Sequence, residues 1–159
     1  MINFNSKGFL QPCTIIKSSI DELKYIFVDS IHSKTRNENY EKYIHYSSEL
    51  KKVVKQGSLN QWIDGSFVTT AKNPKDIDLV TFIDFETRKK YSNQLVKFEA
   101  KGANEIFGVD AYIVTVFPEK HRNHFYFLSD KAYWMERFSK SRRDKNGIKH
   151  AKGFLEINF

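Results

Sequence analysis

Residues 61–83, QWIDGSFVTTAKNPKDIDLVTFI, constrain this chain more than any other stretch. A short strand candidate, Leu59 to Asp64, stops at Gly65-Ser66, and the clearest strand in the sequence runs from Ile77 to Ile83. Between them FVTTA has room for one or two helical turns before Asn73-Pro74, where a proline cannot continue a helix and holds its predecessor extended. Alternate side chains of a strand share a face. Ile77, Leu79, Thr81 and Ile83 therefore take one side, and Asp76, Asp78, Val80 and Phe82 the other. Two carboxylates on one face repel, and a divalent cation is the usual remedy. The Gly65-Ser66 turn can bring backbone N–H groups and a hydroxyl close to a phosphate.

Two amphipathic helices precede this stretch. Ser19-Ile20-Asp21-Glu22 is a capping box, and Ile20, Leu23, Phe27 and Ile31 follow at helical spacing. Asn37 or Asn39 is the expected cap of a second helix, striped with Tyr40, Tyr43, Ile44, Ser47, Leu50 and Val54 and ending before Gly57. A third helix is expected over 87–101, with Leu95 and Phe98 inward and its end near Gly102. The β-branched run 107–117 reads as a strand whose only acid is Asp110. A fourth helix falls in 120–138, with Phe125, Leu128, Tyr133 and Trp134 as anchors. Leu155, Ile157 and Phe159 alternate with polar residues and suggest a terminal strand, while residues 1–17 read as an irregular or extended lead. No repeat or linker interrupts the 159 residues. The expectation is one α/β (α+β) domain over 1–159: a small, mixed, twisted sheet with helices packed mainly on one face.

A buried carboxylate at Asp110 costs several kcal/mol unless a partner or metal compensates it, with ~3–5 kcal/mol typical of an unpaired buried charge. Three acids converging on one sheet edge could hold Mg²⁺ through oxygen ligands. Lone Cys13 excludes an intramolecular disulfide and a cysteine-based zinc cluster. No apolar run reaches the ~20 residues of a membrane span, and the N-terminus does not read as a secretory leader, so a soluble, cytoplasmic protein is expected. From Lys131 to Gly153 eight basic residues face two acids, most of the net charge of +7. That excess is either a solvated face or a surface for a polyanion, with Arg142 and Arg143 as its candidate nucleic-acid contacts. His121 and His124 lack a third ligand nearby, and Trp62 reads as core.

Gly65-Ser66, nine residues, Asp76-Ile77-Asp78-Leu79 and then Val109-Asp110-Ala111 resemble the signature of the polymerase-β-type nucleotidyltransferase superfamily. The wider context, DGSFVT, NPKDIDLV and KGFLEINF, is similar to a minimal bacterial branch of unassigned function. Asp64 departs from the pattern, since the superfamily often has a hydrophobic residue there. The resemblance implies a nucleotidyltransferase-like fold that uses Mg²⁺ or Mn²⁺ and a nucleoside triphosphate. Gly65 and Ser66 would hold phosphates, with Lys72 and Lys75 as weaker candidates. Asp76, Asp78 and Asp110 would hold metal, and Asp110 would help activate an acceptor hydroxyl. The acceptor stays open between RNA or tRNA, protein and a small molecule, and a homodimer or second subunit would have to supply any separate acceptor-binding part. Toxin–antitoxin control, phage defence and RNA maintenance are the roles in view. The alternative is a non-catalytic interaction protein on the same fold, such as an antitoxin or RNA-binding module.

Overall fold

Five strands form one open, mixed sheet in the order β3-β7-β4-β5-β6, in a computed structural model that describes residues 2–159. They are β3 (Ile15–Ser18), β4 (Asn60–Asp64), β5 (Asp78–Asp84), β6 (Asp110–Val116) and β7 (Phe154–Asn158). β3 runs parallel to β7 and β5 parallel to β6, whereas β4 is antiparallel to both of its neighbours. The lead contains a separate two-stranded ladder, β1 (Asn3–Phe4) with β2 (Leu10–Gln11). Among the described residues no helix is long and apolar enough to cross a membrane.

The main helical layer lies on one face of the sheet, as its patterning demands. Leu79 and Ile83 of β5, Ile63 of β4 and Leu155 and Ile157 of β7 pack there against α1 (Ile20–Lys24), α2 (Lys34–Val54) and α5 (Ala100–Phe107). Each fully buried large apolar side chain contributes about 1.5–3 kcal/mol. The second face is not bare. Trp62, Val80, Val114 and Phe154 meet Trp134 and Phe138 of α6 (His124–Phe138). α6 is therefore anchored by Trp134 and Phe138, while the expected anchors Phe125, Leu128 and Tyr133 are exposed. Trp134 and Phe138, one turn apart, make this contact, with Phe127 and Met135 packed partly buried beside them.

Several elements differ from expectation for local reasons. Ser19 does cap α1, accepting from the Glu22 N–H at 3.1 Å, but Glu22 reaches to the Ser18 hydroxyl and the helix passes into a π-helical turn, Tyr25–Asp29. α2 starts a turn earlier than Asn37, because Asn39 is buried and used elsewhere: its Nδ2 donates to the Pro74 carbonyl at 2.9 Å. The third helix is broken into α3 (Phe85–Lys90), α4 (Ser92–Leu95) and α5, with a 3₁₀ turn at Val96–Phe98. Gly102 does not end it. It lies inside α5, where a Cβ would come within 2.9 Å of the Val96 carbonyl oxygen. The polar stripe residue Ser47 and the strand residue Gln61 are buried because they satisfy each other. Tyr43 donates to Gln61 Oε1 at 2.9 Å, and Gln61 Nε2 donates to Ser47 and Thr81 at 3.1 Å each.

Candidate functional site

Three carboxylates cross one edge of the sheet in a row. Asp64 ends β4, Asp78 opens β5 and Asp110 opens β6; the register sets Asp64 opposite Asp78, and Asp78 opposite Asp110. Residues directly opposed in a ladder project to the same face, here the face of Val80 and α6. Asp76, just upstream of β5, adds its charge to the group. Burial pushes the Asp78 carboxyl up to about 7, reinforced by the charges of Asp110, Asp64 and Asp76 and by a hydrogen bond shared with Asp110.

Asp64, the departure from the superfamily pattern, has a specific partner. Lys152 Nζ donates to its Oδ1, and the lysine is only 5% exposed. Burial raises Asp64 to about 6 even so, against the opposing pull of Lys152 and the Gly65 N–H. Sequence reasoning missed Lys152, which lies 88 positions away. Its one signal was phase: Lys152, Phe154 and Glu156 alternate, and Phe154 and Glu156 share the α6 face with Trp62. Arg137 on α6 was also missed. Its positive charge acts on both Asp64 and Asp110.

Gly65 brings the turn after β4 into contact with this row. Its φ of 84° and ψ of −167° belong to a region essentially restricted to glycine. A Cβ there would sit 1.8 Å from Asp78 Oδ2. Ser66 is exposed and opens the 3₁₀ turn Ser66–Val68, its carbonyl accepting from the Thr69 hydroxyl at 2.8 Å. Gly65→Ala is accordingly expected to destabilise the fold by about 3 kcal/mol, from backbone strain plus displacement of the carboxylate. Gly57→Ala is the control, with open space at its Cβ. Equal urea midpoints for the two variants would remove the close approach at Gly65.

The connection from Gly65 to Asp76 is pinned from α2. Arg36, fully buried, donates to the carbonyls of Phe67, Thr69 and Ala71, and to Phe27 before α2. Asn73 accepts from Ser33, and Asn39 holds Pro74. Lys72 and Lys75 are exposed on this fixed loop. Arg142 and Arg143 lie on the exposed loop after α6, Arg143 turned back onto the Gly147 carbonyl at 2.8 Å. That loop is closed by Asp144, which the Ile148 N–H, His150 and the Asn146 N–H hold down at about 2. His121 and His124 belong elsewhere. Their rings lie against Phe117 and Phe127 beyond the far end of β6, roughly 20 Å from the acid row at ~3.3 Å per residue.

Among the described residues no three His, Cys, Asp or Glu side chains are already gathered around a metal-sized space. Asp64 is held by Lys152, and Asp78 leans on Asp110. The donor set is nonetheless all carboxylate oxygen, which suits a hard cation such as Mg²⁺ or Mn²⁺. A cation there would offset the repulsion between Asp78 and Asp110, which the register sets side by side.

A family profile matches residues 2–158, the whole of the sheet and every residue of the acid row. The chain belongs to DUF6932, a family of unknown function. No curated protein and no solved structure matches it. Within DUF6932 the assignment of chemistry thus rests on the residues themselves.

Proposed function

We propose that this chain is a nucleotidyltransferase, moving a nucleoside monophosphate from a triphosphate to a hydroxyl acceptor. One observation carries the reading: the Gly65 backbone lies directly against the carboxylate of Asp78, which stands cross-strand from Asp110. A glycine turn touching paired acids places phosphate-binding N–H groups beside cation ligands. Asp76, Asp78 and Asp110 would hold Mg²⁺ or Mn²⁺, which would neutralise charge on the reacting phosphate.

The chain's own groups have separable tasks. Ser66, exposed at the turn, offers its hydroxyl and N–H to the terminal phosphates of the triphosphate. Asp110 accepts the proton of the acceptor hydroxyl as its oxygen bonds to the α-phosphorus; the bond to the bridging oxygen breaks and pyrophosphate leaves. Lys152 neutralises Asp64 and keeps a fourth negative charge from opposing the triphosphate. Arg36 and Asn39 hold the loop that carries Lys72 and Lys75.

Incubation with each α-labelled triphosphate, Mg²⁺ or Mn²⁺, and total cell RNA and protein should transfer label, and Asp76→Ala with Asp78→Ala should abolish it. Transfer that survives the double substitution sinks the proposed site. No transfer to any acceptor, together with tight capture of one protein by the intact chain, favours the non-catalytic interaction module.

A further inference from the structure

The positive charge of this molecule is concentrated around the exposed rings Phe125, Tyr126 and Tyr133. Between Lys120 and Lys152 ten lysines and arginines meet three acids, which accounts for the entire net charge of +7. This segment contains α6, whose inner side is buried through Trp134 and Phe138 while Tyr126 and Tyr133 remain 53% and 55% exposed. Seven residues apart, the two tyrosines fall on one stripe about 10 Å long at 1.5 Å rise per residue. Arg137 continues the stripe one turn on, its Nη1 donating to the Tyr133 hydroxyl at 3.2 Å. Beyond it Tyr112 packs on Trp134, ring centroids 4.7 Å apart, two residues from Asp110 on β6. The stripe ends at the acid row, where Arg137 and Asp110 sense each other's charge.

We propose that the Tyr126–Tyr133–Arg137 flank of α6 is a docking track for single-stranded nucleic acid, delivering a strand end to the Asp78–Asp110 edge. The use of that end rests on the nucleotidyltransferase reading, for which the track names the acceptor class. Rings at this spacing stack bases irrespective of sequence, and Arg137 with the following basic loop takes phosphates. A second copy of the chain fits the face poorly, because it would set the same positive surface against itself. Asp130 interrupts the stripe between the tyrosines and opposes a phosphate backbone.

The test is fluorescence anisotropy on the full chain with fluorescein-labelled oligouridylate and oligothymidylate, at low salt, in EDTA and without triphosphate. Expected is salt-dependent binding that Tyr126→Ala with Tyr133→Ala weakens by roughly a hundredfold, about tenfold per ring, and that the corresponding Phe pair preserves. Arg137→Gln should lower the salt slope by about one, and Asp130→Asn should tighten binding. Equal affinity for both oligomers supports a general single-strand track, and a ribose preference supports RNA. Absence of binding, or an alanine pair within about threefold of the native chain, overturns the proposal. So does a sedimentation dimer that the alanine pair dissolves, which would give the face to a second copy. With no triphosphate or metal present, the result is independent of transfer. Loss of binding alongside label transfer to protein sinks the track alone, whereas binding without any transfer sinks the enzymatic reading alone.

Discussion

Asp78→Asn is expected to silence transfer while raising the melting temperature of the metal-free protein at pH 8. Asp78 is held at about 7, chiefly by burial and then by the charges of Asp110, Asp64 and Asp76. An unfolded aspartate titrates near 4. The folded state therefore binds this proton more tightly than the unfolded chain does. Its contribution to stability is complete below pH ~4, is lost as pH rises toward 7, and stays lost above that. Asp64, at about 6, acts in the same direction. Asp144, held at about 2 by exposed loop contacts, titrates below this window. Melting of the native protein in EDTA should fall between pH 4 and pH 8, and Asp78→Asn should flatten that fall. The gain at pH 8 is about 2–4 kcal/mol, or roughly 5–15 °C for a chain of this size. Mn²⁺ should raise the melting temperature of the native chain and leave the variant unmoved. A variant that melts below the native protein at pH 8 would mean that Asp78 is not a destabilised buried acid.

The largest loss is expected at Arg36. Its guanidinium is completely buried and all five N–H groups donate to main-chain carbonyls, at 2.5–3.1 Å, with no carboxylate among the partners. Burial pulls it down to about 10, still far above physiological pH, so the charge persists inside. Its ring-facing side lies over Phe67, 5.4 Å from the centroid. Arg36→Met strips hydrogen bonds from four carbonyls at once and should cost about 3–5 kcal/mol in urea unfolding. Arg36→Lys keeps the charge without the fork and should recover only part. In that milder variant, trypsin should cut faster at Lys72 and Lys75, because the loop loses its tether. Urea midpoints within about 0.5 kcal/mol of native for Arg36→Met would show that the tether is dispensable.

The strands around the acids were legible because their signals are local. Ile77 to Ile83 alternates cleanly, and α2 announces itself through Tyr40, Tyr43, Ser47, Leu50 and Val54, all buried as read, with Ile44 of the same stripe half-buried. Trp62 is core as expected. The candidate acids stood out as types at a spacing, and the strand register explains why Asp78 and Asp110 lie together. What escaped the reading is long-range. Asp64 looked like a misfit in the phosphate turn until Lys152 supplied its counter-charge across 88 positions. Arg36 looked like one charge in a polar break, SKTRNEN, with nothing local to show that the 67–71 backbone would close around it. On α6 the apolar residues are spread around the helix, so composition could not tell the buried Trp134 and Phe138 from the exposed Phe125, Leu128 and Tyr133. The short β3 was read only as part of an irregular or extended lead, since it is a sheet strand only by pairing with β7.

That pairing has a kinetic consequence. β7 follows the other four strands of the sheet in sequence yet lies inside it, between β3 and β4. While residues 154–158 are still within the ribosome, β3 has no neighbour and β4 has one bare edge. Asp64 meanwhile lies without Lys152. β3 stays unpaired until synthesis has passed this point, and such non-local closure slows folding, whereas β4 can already pair with β5. The acid row itself, on β4, β5 and β6, can pair before then; what waits for residues 152–158 is the counter-charge of Asp64 and the joining of β3 to the sheet.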